Sequence, residues 1–405
     1  MIKREENGAT FRGRVRAALY GVAYGDAMGG PVEKLSAGEI AEKYGRVTSV
    51  DRRWHRLDED EVSRNGRTRG HGIITDDTLM TICLMEVYTD LRRHIDAWDM
   101  AGPFVRKIAW EKRWIPELEK NTVLIERLFY PEKWIYHRLQ LAACDPRQGG
   151  VGNMVNCGAA MYAAPIGIVN ACNPAAAYNE AIGFMSGHQQ SYGLEAAGVF
   201  AACVAEAFRP EATVRDIVQV ALKHAKDGTF SAIEAATKLA SDLKGSSRSY
   251  SEIVTTLHDA MLTFSPMGDD VRHGPEKAGQ ATAGYQPSRL LSIEELPLAL
   301  AFIILNDGDF KGTIEDSINS GRDTDSIGIM AGAILGAMGG EATIDQATLA
   351  HIDGTNKLDI LAIADAFSEA AKEILRDDLS RNASWQRSLS ELGCQTTPVV
   401  KGKAT

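Results

Sequence analysis

Apolar residues recur at helical spacing along almost the whole chain, while the alternation expected of strands is scarce. Val15, Ala18, Leu19 and Val22 step at i, i+3, i+4 and i+7, and Leu79, Ile82, Cys83 and Val87 nearly repeat that step. The same period predicts helices over about 175–207, 213–226, 230–243, 249–262, 293–306, 325–338 and 358–378. With no βαβ rhythm, the expected fold class is all-α. The breaks at Gly29-Gly30-Pro31, Gly149-Gly150, 244–251 and 265–288 are too short to separate domains, and no repeat is evident. One domain over 1–395 with a loose tail at 396–405 is therefore expected. A charged stretch at 51–72 and a Trp/Tyr-rich stretch at about 98–138 read as loops crossing its surface.

Charge narrows the partners. The 405 residues carry 44 basic and 54 acidic side chains, a net charge of −10, which offers no global attraction for nucleic acid or an anionic bilayer. Any anionic ligand must be held locally. Six cysteines lie far apart with no CxxC pair, the pattern of reduced cytoplasmic thiols. Met1 to Glu6 is followed by Asn and Gly instead of an apolar core, so no secretory signal is read. The apolar runs Leu296–Leu305 and Ile327–Met338 fall short of the ~20 residues that span a bilayer. The expectation is a cytoplasmic protein, a monomer or weak homo-oligomer, with no membrane or nucleic-acid partner.

Two segments concentrate oxygen ligands. Thr75-Asp76-Asp77-Thr78 precedes one apolar helix, and Gly321-Arg322-Asp323-Thr324-Asp325-Ser326 precedes another. Each brings two carboxylates and neighbouring hydroxyls into about one turn, a donor set suited to Mg2+ or Mn2+. Two such loops brought together can hold a pair of ions. Plain helix capping accounts for either loop alone. A third segment, Gly21 to Glu33, ends an amphipathic helix in glycines that permit close backbone approach, with Asp26 and Glu33 either functional or merely at the surface. A fourth, Gly149 to Gly158, matches neither a Walker loop nor a dinucleotide fingerprint; it is a tight turn or a cradle of amides for a diphosphate. His188 is a structural histidine or a ligand contact, and no histidine spacing suggests zinc.

These blocks, in this order across about residues 12–340, resemble the ADP-ribosylglycohydrolase family, which includes the dinitrogenase-reductase-activating glycohydrolases. The resemblance implies a compact, orthogonal multi-helix bundle with two divalent cations, Mg2+ or Mn2+, at its centre. It implies hydrolysis at the anomeric carbon of a small-molecule or protein-linked ADP-ribosyl substrate. By that resemblance Thr75, Asp76 and Asp77 hold one ion, and Asp323, Asp325 and Ser326 the other. Glu33 gates the site, and Glu33 or Asp77 accepts the proton of the attacking water. Asp26, Gly152, Asn153, Asn156, Cys157, Gly158, Met161, His188, Gly321 and Arg322 fall on the substrate side. The chain departs from the family pattern at Cys157-Gly158, where an Asn-Gly pair is usual, and at Tyr162, where an arginine is usual. The 98–138 stretch is an insertion whose aromatics form either an apolar cover or a stacking surface for a base.

Overall fold

The computed structural model describes residues 10–154, 157–264 and 294–394. Helices dominate it, as the periodicity predicts, and the site rests on eight of them. These are α1 (Phe11–Gly29), α2 (Asp76–Leu91), α3 (Tyr130–Tyr136), α4 (Pro174–Met185), α5 (Ser191–Ala207), α6 (Glu295–Leu305), α7 (Thr324–Gly339) and α8 (Ile360–Glu391). Apolar side chains from all of them meet in one buried cluster. Among the described residues, no single helix is long and apolar enough to cross a membrane.

The centre of the fold is the antiparallel pair α1 and α7. Gly21, Gly25 and Gly29 recur every fourth residue on α1, as do Gly328, Gly332 and Gly336 on α7. That spacing lines the glycines along one face of each helix. A Cβ at Gly21 would lie 2.1 Å from the Gly332 carbonyl oxygen, and one at Gly25 2.4 Å from the Gly328 carbonyl carbon. No side chain fits between the helices, so backbone packs on backbone and the register has no freedom to slip. The end of α1 is thereby held against the start of α7: a Cβ at Gly29 would meet the Asp325 Cα at 2.5 Å.

Three expectations change. The helix read over 175–207 is two helices, broken at 186–190. Gly187 packs so closely on Met100 that a Cβ would sit 2.7 Å from its Cγ, and the turn that results carries His188 inward. The last helix runs on to Glu391 beyond the read limit at 378, since no breaker intervenes before Gly393 at φ 79°. The stretch 98–138 is not a surface loop. It contains short helical turns, a two-stranded ribbon of β1 (Lys112–Ile115) and β2 (Lys120–Val123), and α3. Phe104, Ile108, Ile115, Leu124 and Ile135 anchor it in the core. The loose tail read at 396–405, and the break at 265–288, lie outside the described residues.

Candidate active site

Neither acidic loop spends all its carboxylates on capping the helix that follows. At α2 the capping is done by others: the Thr75 hydroxyl accepts from the Asp77 amide, and Asp26 of α1 accepts from the Thr75 amide at 2.9 Å and the Thr78 amide at 3.2 Å. Burial raises the Asp26 carboxyl to about 6 against those lowering bonds. At α7 the Asp323 side chain makes no capping bond at all. The remaining carboxylates point across the gap between the helices. The Ser326 hydroxyl donates to Asp77 at 3.1 Å, which joins the two loops directly.

Around this contact the carboxylates crowd. Oxygens of Glu33, Asp323 and Asp325 all lie within 4.8 Å of one another. Burial, and then the neighbouring carboxylates, push Asp77 and Asp325 well above the usual range; Asp323 is raised by burial and by Glu33. Such a set binds hard divalent cations, whose charge would reverse those shifts. Glu33 behaves oppositely: burial would raise it, but Lys34 and Arg69 outweigh that and hold it ionised.

Glu33 is placed by backbone. Gly321 and Arg322 both take positive φ, at 82° and 73°. In that conformation the Arg322 amide donates to the Leu35 carbonyl at 2.7 Å, and the Lys34 amide to the Arg322 carbonyl at 2.8 Å. The two segments are thereby stitched together and Glu33 is brought beside Asp323. The Arg322 side chain turns away to Glu294, at 2.7 Å.

The glycine loop is braced by the 98–138 insertion. Asn153 donates to the Pro131 and His188 carbonyls, each at 2.9 Å, and a Cβ on Gly152 would meet the Trp134 ring at 3.3 Å. Gly158 faces Glu132 and His188: a Cβ there would lie 2.6 Å from Glu132 Oε1 and 3.3 Å from His188 Nε2. His188 receives or gives a hydrogen bond at Nδ1 with Tyr162 at 2.8 Å, and burial lowers it to about 3, so it stays neutral. Cys157 is buried with its thiol 3.0 Å from the Ser326 hydroxyl and 3.6 Å from Asp323. Met161 is buried in the same turn, and Asn156 lies outside the described residues.

Several residues here went unread in the sequence. Arg69 bonds Glu117 at 2.6 Å, pairs with Glu33, and approaches Asp325 at 3.8 Å. Arg127, fully buried, pairs with Glu117 on one side and with Asp76 on the other. A chain of alternating charge thus runs Glu33, Arg69, Glu117, Arg127, Asp76. Two of its members, Glu117 and Arg127, come from the insertion. Glu132, also from this stretch, is wholly buried with neither oxygen in a well-formed hydrogen bond among the described residues, and burial, then Asp76, raises it to about 8. Three large aromatics of the stretch point the other way: Trp98, Trp110 and Tyr130 are more than half exposed. Glu295 completes a second group, its carboxylate within 4.8 Å of Cys157 and Asp323 donor atoms.

Comparison with known proteins finds relatives over nearly the whole chain. The sequence model described as ADP-ribosylglycohydrolase matches residues 7–376. The chain is 26% identical over 370 residues to a protein of Escherichia coli (strain K12) named "Uncharacterized protein YegU", covering 88% of this chain and 96% of that one. Among solved structures, a chain of an "ADP-ribosylglycohydrolase-related protein complex" superposes with a TM-score of 0.53 at 20% identity, over 89% of this chain and 99% of that one. At that identity the likeness is one of fold.

Proposed function

Because the chain belongs to the ADP-ribosylglycohydrolase family, we propose that it is a divalent-metal-assisted hydrolase cleaving the glycosidic bond at the anomeric carbon of an ADP-ribosyl or related ribosyl group. The observation that carries this reading is the meeting of the two acidic loops, with Ser326 bonded to Asp77 and the carboxylates of Asp323 and Asp325 gathered around Glu33. The donors fit Mg2+ or Mn2+: Thr75, Asp76 and Asp77 would hold one ion, and Asp323, Asp325 and Ser326 a second. Bound there, such ions supply charge that orients ribose hydroxyls and acidifies a water.

The chain's own groups do the rest. Cleavage passes through an oxocarbenium-like state, so carboxylates near the anomeric carbon stabilise developing positive charge. Glu33, kept ionised by Arg69 and Lys34, is the proton acceptor best suited to neutral pH, with Asp77 the other candidate. Arg69 also fixes its orientation, so the base does not swing toward solvent. The absence of any disulfide among the six cysteines accords with the cytoplasmic location we propose.

A smaller N-riboside is the second reading. It is favoured by the insertion, whose Trp134 and Glu132 press on Gly152 and Gly158 and narrow the loop that the resemblance gives to the diphosphate.

The test is product chromatography after incubation with ADP-ribosyl-arginine, an ADP-ribosyl-serine peptide and simple N-ribosides, with Mg2+, Mn2+ or chelator. Metal-dependent release of ADP-ribose, absent in Asp323→Ala, is expected. Turnover of the small ribosides alone would select the second reading. Full activity in Asp323→Ala would overturn the metal assignment.

A further inference from the structure

On another side of Glu33 lies a small cavity of different character. It is lined by Lys34, Arg56, Arg64, Arg67 and Arg69 against a single carboxylate, that of Glu33. In a chain of net charge −10 this is a local reversal of sign.

Two of these cations are not neutralised. Arg56 pairs with Glu59, Lys34 lies 3.6 Å from Glu33, and Arg69 belongs to the buried chain of charge. Among the described residues, no carboxylate lies within 4.0 Å of Arg64 or Arg67. Backbone carbonyls hold both in place: Arg64 donates to the carbonyls of Glu59 and Arg67 at 3.0 and 2.9 Å, and Arg67 to that of Arg127 at 2.7 Å. Arg67 also lies over the Phe129 ring at 4.2 Å, with Lys34 at 5.2 Å from the same ring. A guanidinium that is half-buried, oriented by fixed carbonyls and lacking a counter-ion is organised for an anion that is not part of the fold. Burial, and then the nearby Arg127, lower Arg67 to about 10 against the raising influence of Glu117 and Asp76.

The cavity and the acidic cluster share Glu33 and therefore adjoin. A ligand bridging them has uncharged hydroxyls at one end and an anion at the other. We propose that Arg67 and Arg64, with Lys34, form a phosphate subsite that takes the phosphoryl group attached to the substrate's ribose. This rests on the ribosyl-hydrolase reading above and adds to it. Planar guanidinium groups suit phosphate oxygens in pairs, and the Phe129 ring lies beneath Arg67 and Lys34. The subsite lies on the 51–72 stretch and not on the glycine loop, so recognition of the anion is separated from the loop that the insertion has narrowed.

Calorimetric titration of the Mn2+-loaded protein with ADP-ribose, ribose 5-phosphate and ribose tests this, on wild type and on Arg67→Gln. Both phosphorylated ligands should bind wild type at least tenfold tighter than ribose, with an affinity that falls as salt rises. Arg67→Gln should lose at least tenfold for both and leave ribose unchanged. ADP-ribose binding far better than ribose 5-phosphate would assign the subsite to a diphosphate; equal binding would assign it to the ribose-proximal phosphate alone. Arg64→Gln, altering a more exposed side chain, should lose about threefold and serves if Arg67→Gln fails to fold. Unchanged affinity in a folded variant, or equal binding of ribose and its phosphate by wild type, would overturn the subsite while leaving the hydrolase intact. Failure of wild type to bind any of the three would remove both readings together.

Discussion

Two walls of the same site are built on opposite principles. The seam between α1 and α7 is uncharged and closes backbone on backbone through glycines, while the wall supplied by the insertion is a buried chain of carboxylates and guanidiniums. The seam decides where the carboxylates sit, because hard contact leaves one register. The charged wall decides how they are balanced, because Arg127 and Arg69 meet Asp76 and Glu33. Position comes from sterics and charge from a separate element, so either can be altered without the other.

The largest effect should come from the charged wall. Glu117 bridges two arginines and is fully buried; Glu117→Ala takes away the carboxylate they share, leaving Arg69 only Glu33 and Arg127 only Asp76, and should cost about 3–5 kcal/mol in denaturant unfolding. Replacing Arg69, Glu117 and Arg127 together by Met, Leu and Met would strip Glu33 and Asp76 of their partners and should not recover that loss. A cost below about 1 kcal/mol for Glu117→Ala would show that the wall is not held by charge. The seam should respond next. Gly332→Ala places a Cβ 2.2 Å from the Gly21 carbonyl oxygen and should cost about 2–3 kcal/mol through overpacking, lowering activity because the loops are wedged apart. Unchanged melting would mean that the helices do not touch as described.

Cation binding separates the two walls more gently. Mn2+ should raise the melting temperature of wild type by several degrees, in proportion to the logarithm of its concentration. Asp323→Ala should fold and show little of this shift; an undiminished shift would place the ion elsewhere. The smallest effect lies away from both walls. His94 joins Glu180 of α4 at 2.6 Å to Asp378 of α8 at 2.9 Å, and although burial lowers it, those carboxylates raise it to about 9. Its stabilisation is complete below the unfolded value of about 6.5 and is lost as pH rises through about 9. For a partly exposed group this amounts to less than about 1 kcal/mol. Unfolding curves at pH 6 and 10 should differ by less in His94→Gln than in wild type.

The steric half was largely legible in the sequence. Helical period, the two acidic loops and the glycines ending α1 all lie within short windows, and short windows are what periodicity and spacing can read. Glu294-Glu295 ahead of the apolar Leu296–Leu305 run repeats the signal of the other acidic loops and was within reach of the same rule. The electrostatic half was not legible. Arg127 meets Asp76 across 51 positions of sequence, and nothing local distinguishes it from a solvated arginine. Likewise the aromatic richness of 98–138 suggests an apolar cover, yet Trp98, Trp110 and Tyr130 are more than half exposed while Glu117, Arg127 and Glu132 are buried.

The glycine seam joins segments near the two ends of the described chain, with nearly 300 residues between Gly29 and Thr324 and every other wall of the site drawn from that interval. A residue gained or lost inside α1 or α7 turns everything beyond it by about 100° and takes Asp26 or Asp325 out of the cleft. Segments of the connecting interval that carry no site residue are under no such restriction, and a change in their length leaves the floor of the cleft as it is.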